Sequence, residues 1–206
     1  MAQRISRAYQ LITVPGIYKG LMRALGSDRC IQTYVNDFLA PLPAQKMLDV
    51  GCGPAQVLPY LPAVDYVGID LNEKHIAYAS EHFGGRGRFI VGNAAEDLNG
   101  EAGSFDLINV SALLHHLDDK EAISLFTGLK RLLKPDGRIV TFDNVHLPKQ
   151  RLAVRLINAL DSGLNIRSPE GYVGLVSGLN FEVKAHLFHN LLRIPYDHFI
   201  MVARPR

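Results

Sequence analysis

The chain has no tryptophan and only two cysteines, Cys30 and Cys52, among 206 residues. Two thiols cannot frame a disulfide scaffold, and their separation is not the CxxC spacing of a redox or zinc pair. A reducing compartment, the cytoplasm, is the expected setting. No apolar run approaches the roughly 18 residues that a membrane span requires. The opening stretch, MAQRISRAYQLITVPGIYKG, scatters charge among its apolar positions, which predicts no signal peptide. Charge of one sign is scarce as well: 22 Lys/Arg face 20 Asp/Glu, for a net +2. No basic run exceeds two residues, so nucleic acid is not an expected partner. Internal repeats, low-complexity tracts and long linkers are absent too.

What is present is an ordinary mixture, 48% hydrophobic and 20% charged, which fits one soluble globular domain. At this length folding hides roughly 70% of the surface of the extended chain, enough for a core without metal or disulfides. The small net charge conceals an uneven distribution. Residues 1–46 sum to +4, residues 47–145 to −6 and residues 146–206 to +4.

Hydrophobic periodicity alternates along the middle of the chain. Short apolar runs at 46–51, 65–70, 87–91, 105–110 and 138–143 read as buried strands bounded by turns. Between them, residues 73–83 place Ile76, Ala77 and Ser80 on one helical face, and residues 119–133 place Ile123, Phe126, Leu129, Leu132 and Leu133 at three-and-four spacing. Asp118 and Glu121 form a capping-box pair, while Lys130, Arg131 and Lys134 suit a helix carboxyl end. Lys134-Pro-Asp-Gly137 predicts a stop and a turn into the next strand. Strands alternating with helices imply βαβ units with right-handed crossovers. The expected fold is α/β and doubly wound, a Rossmann-like, seven-stranded, mostly parallel sheet with an antiparallel last strand. Its sixth and seventh strands are the runs at 181–187 and 197–203, and further helices are expected over 149–161 and after Ser168-Pro-Glu170.

Open α/β sheets bind ligands beyond the carboxyl ends of their strands. In this chain those ends read Leu48-Asp49-Val50-Gly51-Cys52-Gly53-Pro54-Ala55, then Gly68-Ile69-Asp70-Leu71-Asn72, Gly92-Asn93-Ala94 and Asn109-Val110-Ser111. Paired glycines let backbone approach a ligand closely. Asp70, nineteen residues after Gly51, is placed to accept hydrogen bonds from a ribose diol. Each feature alone is common; their order and spacing are specific.

From about residue 45 to 145 this pattern resembles the class I S-adenosylmethionine (SAM)-dependent methyltransferase family. LDVGCGPA resembles its glycine-rich first motif, GIDLN its acidic second-strand end, GNAAED its adenine-reading segment, and FDLINVSALLHHLDD with LKPDGRIV its fourth- and fifth-strand region. The resemblance implies SAM as cofactor and a small-molecule type of enzyme. It implies that Asp49 is a cofactor-binding residue, that Gly51 and Gly53 frame the methionine moiety, Asp70 holds the ribose hydroxyls, Leu71 covers the adenine, Asn93 and the Ala94 amide read its edge, and Ser111 lies by the sulfonium end. The chain departs from the family at three places. Ala55 stands where a third glycine is common, a change that costs little in helical backbone. Asn93 replaces a frequent aspartate, and Asp136 a glycine. The missing third glycine also argues against a nicotinamide dinucleotide, whose fingerprint needs GxGxxG.

Methyl transfer from a sulfonium starts from an activated donor, so proximity and orientation dominate. A general base serves only an acceptor that arrives protonated. His115, His116 and His146 are the candidates, with packing as the competing role, and the site needs no catalytic residue if the acceptor arrives deprotonated. The adjacent histidines and aspartates lack an established metal-ligand spacing, so no metal is expected. The place after the fourth strand has neither the Asn/Asp-Pro-Pro-aromatic run of base-amine methylation nor a nucleophilic cysteine. A small metabolite methylated on oxygen, or on nitrogen, is therefore the expected acceptor. The basic flanks, with Arg4, Arg7, Lys149, Arg151, Arg155 and Arg167, suggest an anionic one, against a plain solvated face. Tyr9, Tyr18, Tyr34 and Tyr172 either line the same mouth or belong to the core. The expected division is an amino-terminal helical lid (1–45), a SAM-binding core (46–143), a substrate-cap insertion (144–178) and carboxyl-terminal strands (179–206). A non-catalytic SAM-binding regulatory module is the alternative, and oligomeric state stays open.

Overall fold

A computed structural model describes residues 26–206 except 153, 156, 157, 159–163, 190, 194 and 195. The five apolar runs of the middle segment form strands β1 (Lys46–Val50), β2 (Asp65–Asp70), β3 (Gly87–Val91), β4 (Phe105–Ser111) and β5 (Leu133–Asn144), and β6 (Phe181–His189) and β7 (Asp197–Pro205) follow. They make one sheet in the order β3-β2-β1-β4-β5-β7-β6. Pairing is parallel from β3 to β5, and β7 runs antiparallel to both β5 and β6. The last strand is thus inserted one place inside the edge, and β6 forms the edge.

Alternation along the strands divides the core into two layers. Leu48, Val50, Ile108, Val110, Ile139 and Met201 face one cluster, whereas Met47, Leu107, Val140 and Ile200 face the other. Helix α1 (Ser27–Tyr34), prolonged by a π-helical turn over Val35–Leu39, covers the second layer through Tyr34, Val35 and Leu39. Helix α2 (Glu73–Phe83) buries Ile76 and Ala79 rather than the expected Ile76, Ala77 and Ser80, because the 76/79/83 stripe is the one directed at the sheet. Helix α3 (Asp119–Leu132) packs Ala122, Leu125, Phe126, Leu129 and Leu132 inward, and Ile123 is exposed. Its capping box is present, with Asp118 accepting from the Glu121 amide at 2.9 Å and Glu121 accepting from the Asp118 amide at 2.8 Å. The stop at 134–137 takes a different form from the expected turn. β5 begins at Leu133, opposite Phe105, and the register shifts before Arg138 pairs with Leu107.

Helix α4 (Pro169–Gly174) starts at Ser168, whose hydroxyl accepts from the Gly171 amide at 3.2 Å. Of the helix expected over 149–161, residues 152, 154, 155 and 158 are helical, and the remainder lies partly outside the described residues. So does residues 1–25 of the expected lid. No described helix is long and apolar enough to cross a membrane. Chain order reverses at β1: the path runs outward to β2 and β3, then returns to β4. A crevice opens at the carboxyl ends of strands where such a reversal occurs.

Candidate functional site

The turn leaving β1 is held against the end of β2. The Ile69 carbonyl accepts from the Gly51 amide at 2.8 Å and the Cys52 amide at 3.1 Å. Gly51 and Gly53 have φ of +66° and +53°, a left-handed backbone that glycine adopts at little cost. Asp70 then ties two turns together. Its Oδ2 accepts from the Gly53 amide and its Oδ1 from the Asn72 amide, both at 2.8 Å. Beside it, His75 Nδ1 approaches Oδ1 at 3.8 Å. Ala55 has φ of +57°, a left-handed conformation, so the condition under which the missing glycine costs little is not met. The missing glycine is tolerated at a cost of about 1 kcal/mol for a left-handed non-glycine residue.

Apolar side chains flank the Asp70 carboxylate at the same edge. Leu71 is 76% exposed at the end of β2 and Val91 46% exposed at the end of β3, unusual for apolar groups in this setting. The Asn93 side chain caps the next turn: Oδ1 accepts from the Ala95 amide at 3.0 Å, and Nδ2 donates to Glu96 at 3.2 Å. Ala94 is buried, and Ser111 is half-buried at the end of β4. Asp49 occupies a different level from the turn residues. Both its oxygens are taken inside the sheet, Oδ2 by the Tyr66 hydroxyl at 2.6 Å and Oδ1 by Asn109 Nδ2 at 2.7 Å. Asn109 Oδ1 accepts in turn from the Tyr34 hydroxyl at 2.6 Å, which anchors α1 to β4. Burial pushes the Asp49 carboxyl up to about 6, although the hydrogen bonds from Tyr66 and Asn109 oppose the rise.

The three candidate histidines separate. His115 is buried in a short 3-10 turn, Leu114–His116, and its Nδ1 lies 2.8 Å from Asp143 Oδ1 at the end of β5. Burial raises the Asp143 carboxyl, with His115 pulling the other way. His116 is exposed, its ring centroid 4.2 Å from that of His115. His146 is exposed, and the Asp143 carboxylate contacts His115 rather than His146. Among the described residues no three His, Cys, Asp or Glu side chains gather as a metal site.

The cationic candidates also divide. Arg4, Arg7, Tyr9 and Tyr18 lie outside the described residues. Arg167 is a structural clamp: it donates to the Leu114, Asn165 and Leu117 carbonyls at 2.8, 3.1 and 2.8 Å and pairs with Asp119 at 2.8 Å. Tyr34 and Tyr172 belong to the core. Lys149, Arg151 and Arg155 are exposed. The first two border a cavity of about 200 Å³ with Leu147, Gln150, His189 and Asp197. Sequence reading missed His189 and Asp197, which the β6–β7 register places opposite each other and which meet at 2.6 Å. The antiparallel register of the final hairpin, once known, is the signal that would have found them.

A family model described as methyltransferase domain matches residues 48–141. An uncharacterized methyltransferase of Synechocystis sp. is 34% identical over 116 residues, spanning 55% of this chain and 53% of that protein. Phosphoethanolamine N-methyltransferase 3 of Arabidopsis thaliana is 31% identical over 151 residues, 71% of this chain and 30% of that protein. The chain therefore spans about half the length, or less, of these relatives. In fold, a SAM-dependent methyltransferase from Archaeoglobus fulgidus superposes with a TM-score of 0.71 over 91% of this chain and 99% of its own, at 19% identity.

Proposed function

We propose that the chain is a class I SAM-dependent methyltransferase, a reading supported by the methyltransferase-domain match over residues 48–141, and that it methylates an oxygen, or a nitrogen, of a small anionic metabolite. The observation that carries this reading is the Asp70 carboxylate, held by the Gly53 and Asn72 amides at the reversal point of the sheet. A carboxylate with its donors already fixed presents its remaining lone pairs outward, as a ribose diol requires. Leu71 and Val91 offer exposed apolar surface beside it for a purine ring. Gly51 and Gly53 keep the β1 turn free of side chains where the methionine portion passes. Ala94 offers its amide to the adenine edge, with Asn93 shaping that turn, and Ser111 borders the sulfonium end. Asp49 serves this cradle from below, stiffening β1 against β2 and β4.

SAM supplies an activated methyl group on sulfonium. The protein's own work is to align the acceptor with that group and to exclude water. Where the acceptor is a hydroxyl, we assign the proton to His115. With Nδ1–H directed at Asp143, Nε2 is the nitrogen that takes a proton, and the carboxylate stabilises the resulting imidazolium. The short distance to a carboxylate at the end of β5 is what selects His115 for this role. The anionic acceptor is supported by the exposed Lys149, Arg151 and Arg155, and by the phosphoethanolamine in the name of one relative. Residues 1–45 and the 144–178 insertion are assigned as lid and cap, and the two buried free thiols suit the cytoplasm.

Calorimetry with SAM and with S-adenosylhomocysteine tests the cofactor assignment; no heat from either compound overturns it. Incubation with labelled SAM and a metabolite extract tests the transfer. Cofactor binding without any labelled product would make the protein a regulatory module instead. Once an acceptor is known, an unchanged KM in the Arg151→Gln, Arg155→Gln double variant removes the anionic assignment, and an unchanged kcat in His115→Gln removes the base.

A further inference from the structure

The cavity bordered by Leu147, Lys149, Gln150, Arg151, His189 and Asp197 lies away from the cradle, at the mouth of β5, β7 and β6. Its volume, about 200 Å³, is below the roughly 300–1,000 Å³ of pockets that enclose a whole drug-sized ligand. It has room for one group of a ligand. Asp197 within it is already satisfied: Oδ1 contacts His189 Nδ1 at 2.6 Å and Oδ2 accepts from Gln150 Nε2 at 2.7 Å. Lys149 and Arg151 form no ion pair among the described residues, and against the single Asp197 carboxylate they leave the border of the cavity with a net positive charge. Gln150 commits its amide nitrogen to Asp197 and to the Val145 carbonyl, and its buried Oε1 has no donor among the described residues.

We propose that this cavity is a phosphoryl-binding subsite that anchors the acceptor while its far end receives the methyl group. Two cations against one carboxylate suit a phosphate monoester in its singly protonated, monoanionic form, and arginine adds a planar fork suited to phosphate oxygens. A phosphate that still carries one proton also supplies the donor that Gln150 Oε1 lacks, which an ionised carboxylate does not. The position sets a length as well. Resting on the reading that the methyl emerges at the end of β4, the anchor at β7 lies two strand spacings away, about 10 Å. The acceptor class is therefore a phosphate monoester whose nucleophilic oxygen or nitrogen is separated from phosphorus by more than a two-carbon bridge.

The test uses the full chain saturated with S-adenosylhomocysteine and titrated with inorganic phosphate at constant ionic strength, followed by calorimetry and by the His189 imidazole resonances. Acetate is the second probe, and Lys149→Gln with Arg151→Gln is the variant pair, both at exposed positions. The expected result is saturable phosphate binding that shifts His189, about tenfold weaker in each variant, with acetate weaker still and the S-adenosylhomocysteine affinity the same throughout. Phosphate binding that survives both substitutions, or that leaves His189 unmoved, overturns the subsite. Acetate binding as tightly as phosphate overturns the phosphoryl assignment. Phosphate binding in a protein that takes up no S-adenosylhomocysteine refutes the cofactor reading and supports the subsite.

Discussion

The Asp70 carboxylate and the Gly53 amide, seventeen residues apart, are joined by a hydrogen bond of 2.8 Å that closes the β1 turn onto the end of β2. One side chain thereby shapes the backbone of two turns, and in the proposed reading it also presents its charge to the cofactor. Asp70→Asn retains an oxygen but loses the charge, and hydrogen bonds to charged groups contribute about 1.5–3 kcal/mol. S-adenosylhomocysteine affinity should fall about 10- to 100-fold in calorimetry, with the far-ultraviolet circular dichroism unchanged. Equal affinity in the variant would mean that this carboxylate does not touch the cofactor.

Asp49 makes stability depend on pH in an unusual direction. Its carboxyl rises from an ordinary 3.8 to about 6 in the fold, chiefly through burial. Between these values the folded chain keeps a proton that the unfolded chain has released. The contribution is full below about pH 4 and is lost as pH climbs through 6, a change of about 3 kcal/mol. Urea unfolding of wild type and Asp49→Asn at pH 4.5 and pH 7 isolates it. The loss of stability on raising the pH should be smaller in the variant by about 2 kcal/mol, the part of the change that falls between these two pH values, and identical slopes would refute the assignment.

Arg167 holds three carbonyls and Asp119 around the turn that carries His115. Its side chain is 10% exposed, so replacement strands buried acceptors. Arg167→Gln should cost about 3 kcal/mol in urea unfolding. A cost below 0.5 kcal/mol, the range of ordinary surface changes, would show that the clamp is not needed.

The α3 capping box gives a smaller effect. Asp118→Ala removes the acceptor for the Glu121 amide, and loss of an N-cap of this kind costs about 1 kcal/mol. Thermal unfolding should drop by a few degrees. Asp118→Asn, which keeps a capping oxygen, should restore most of it.

The strands, α3 with its cap, and the order of glycines and acid at the strand ends were all legible in the sequence. Each is written locally, in a hydrophobic period or in a turn that needs a particular residue within a few positions. Even locally the reading had a limit. The inward stripe of α2, the exposure of Ile123 and the left-handed backbone of Ala55 depend on which direction the neighbouring sheet lies.

Long-range pairings were decided by tertiary structure alone. Nothing in the order of residues distinguishes His115 from His146 as the partner of Asp143, separates the clamp Arg167 from the exposed Arg151, or brings His189 to Asp197. These outcomes follow from strand order and register, which set two distant side chains within 3 Å of each other or leave them apart. The sequence by itself determined that this is a doubly wound sheet with a glycine-and-acid cradle, because period and turn chemistry act over a few residues. The tertiary structure decided which charges are satisfied and which stay exposed, because a charge is neutralised by whatever the fold places beside it.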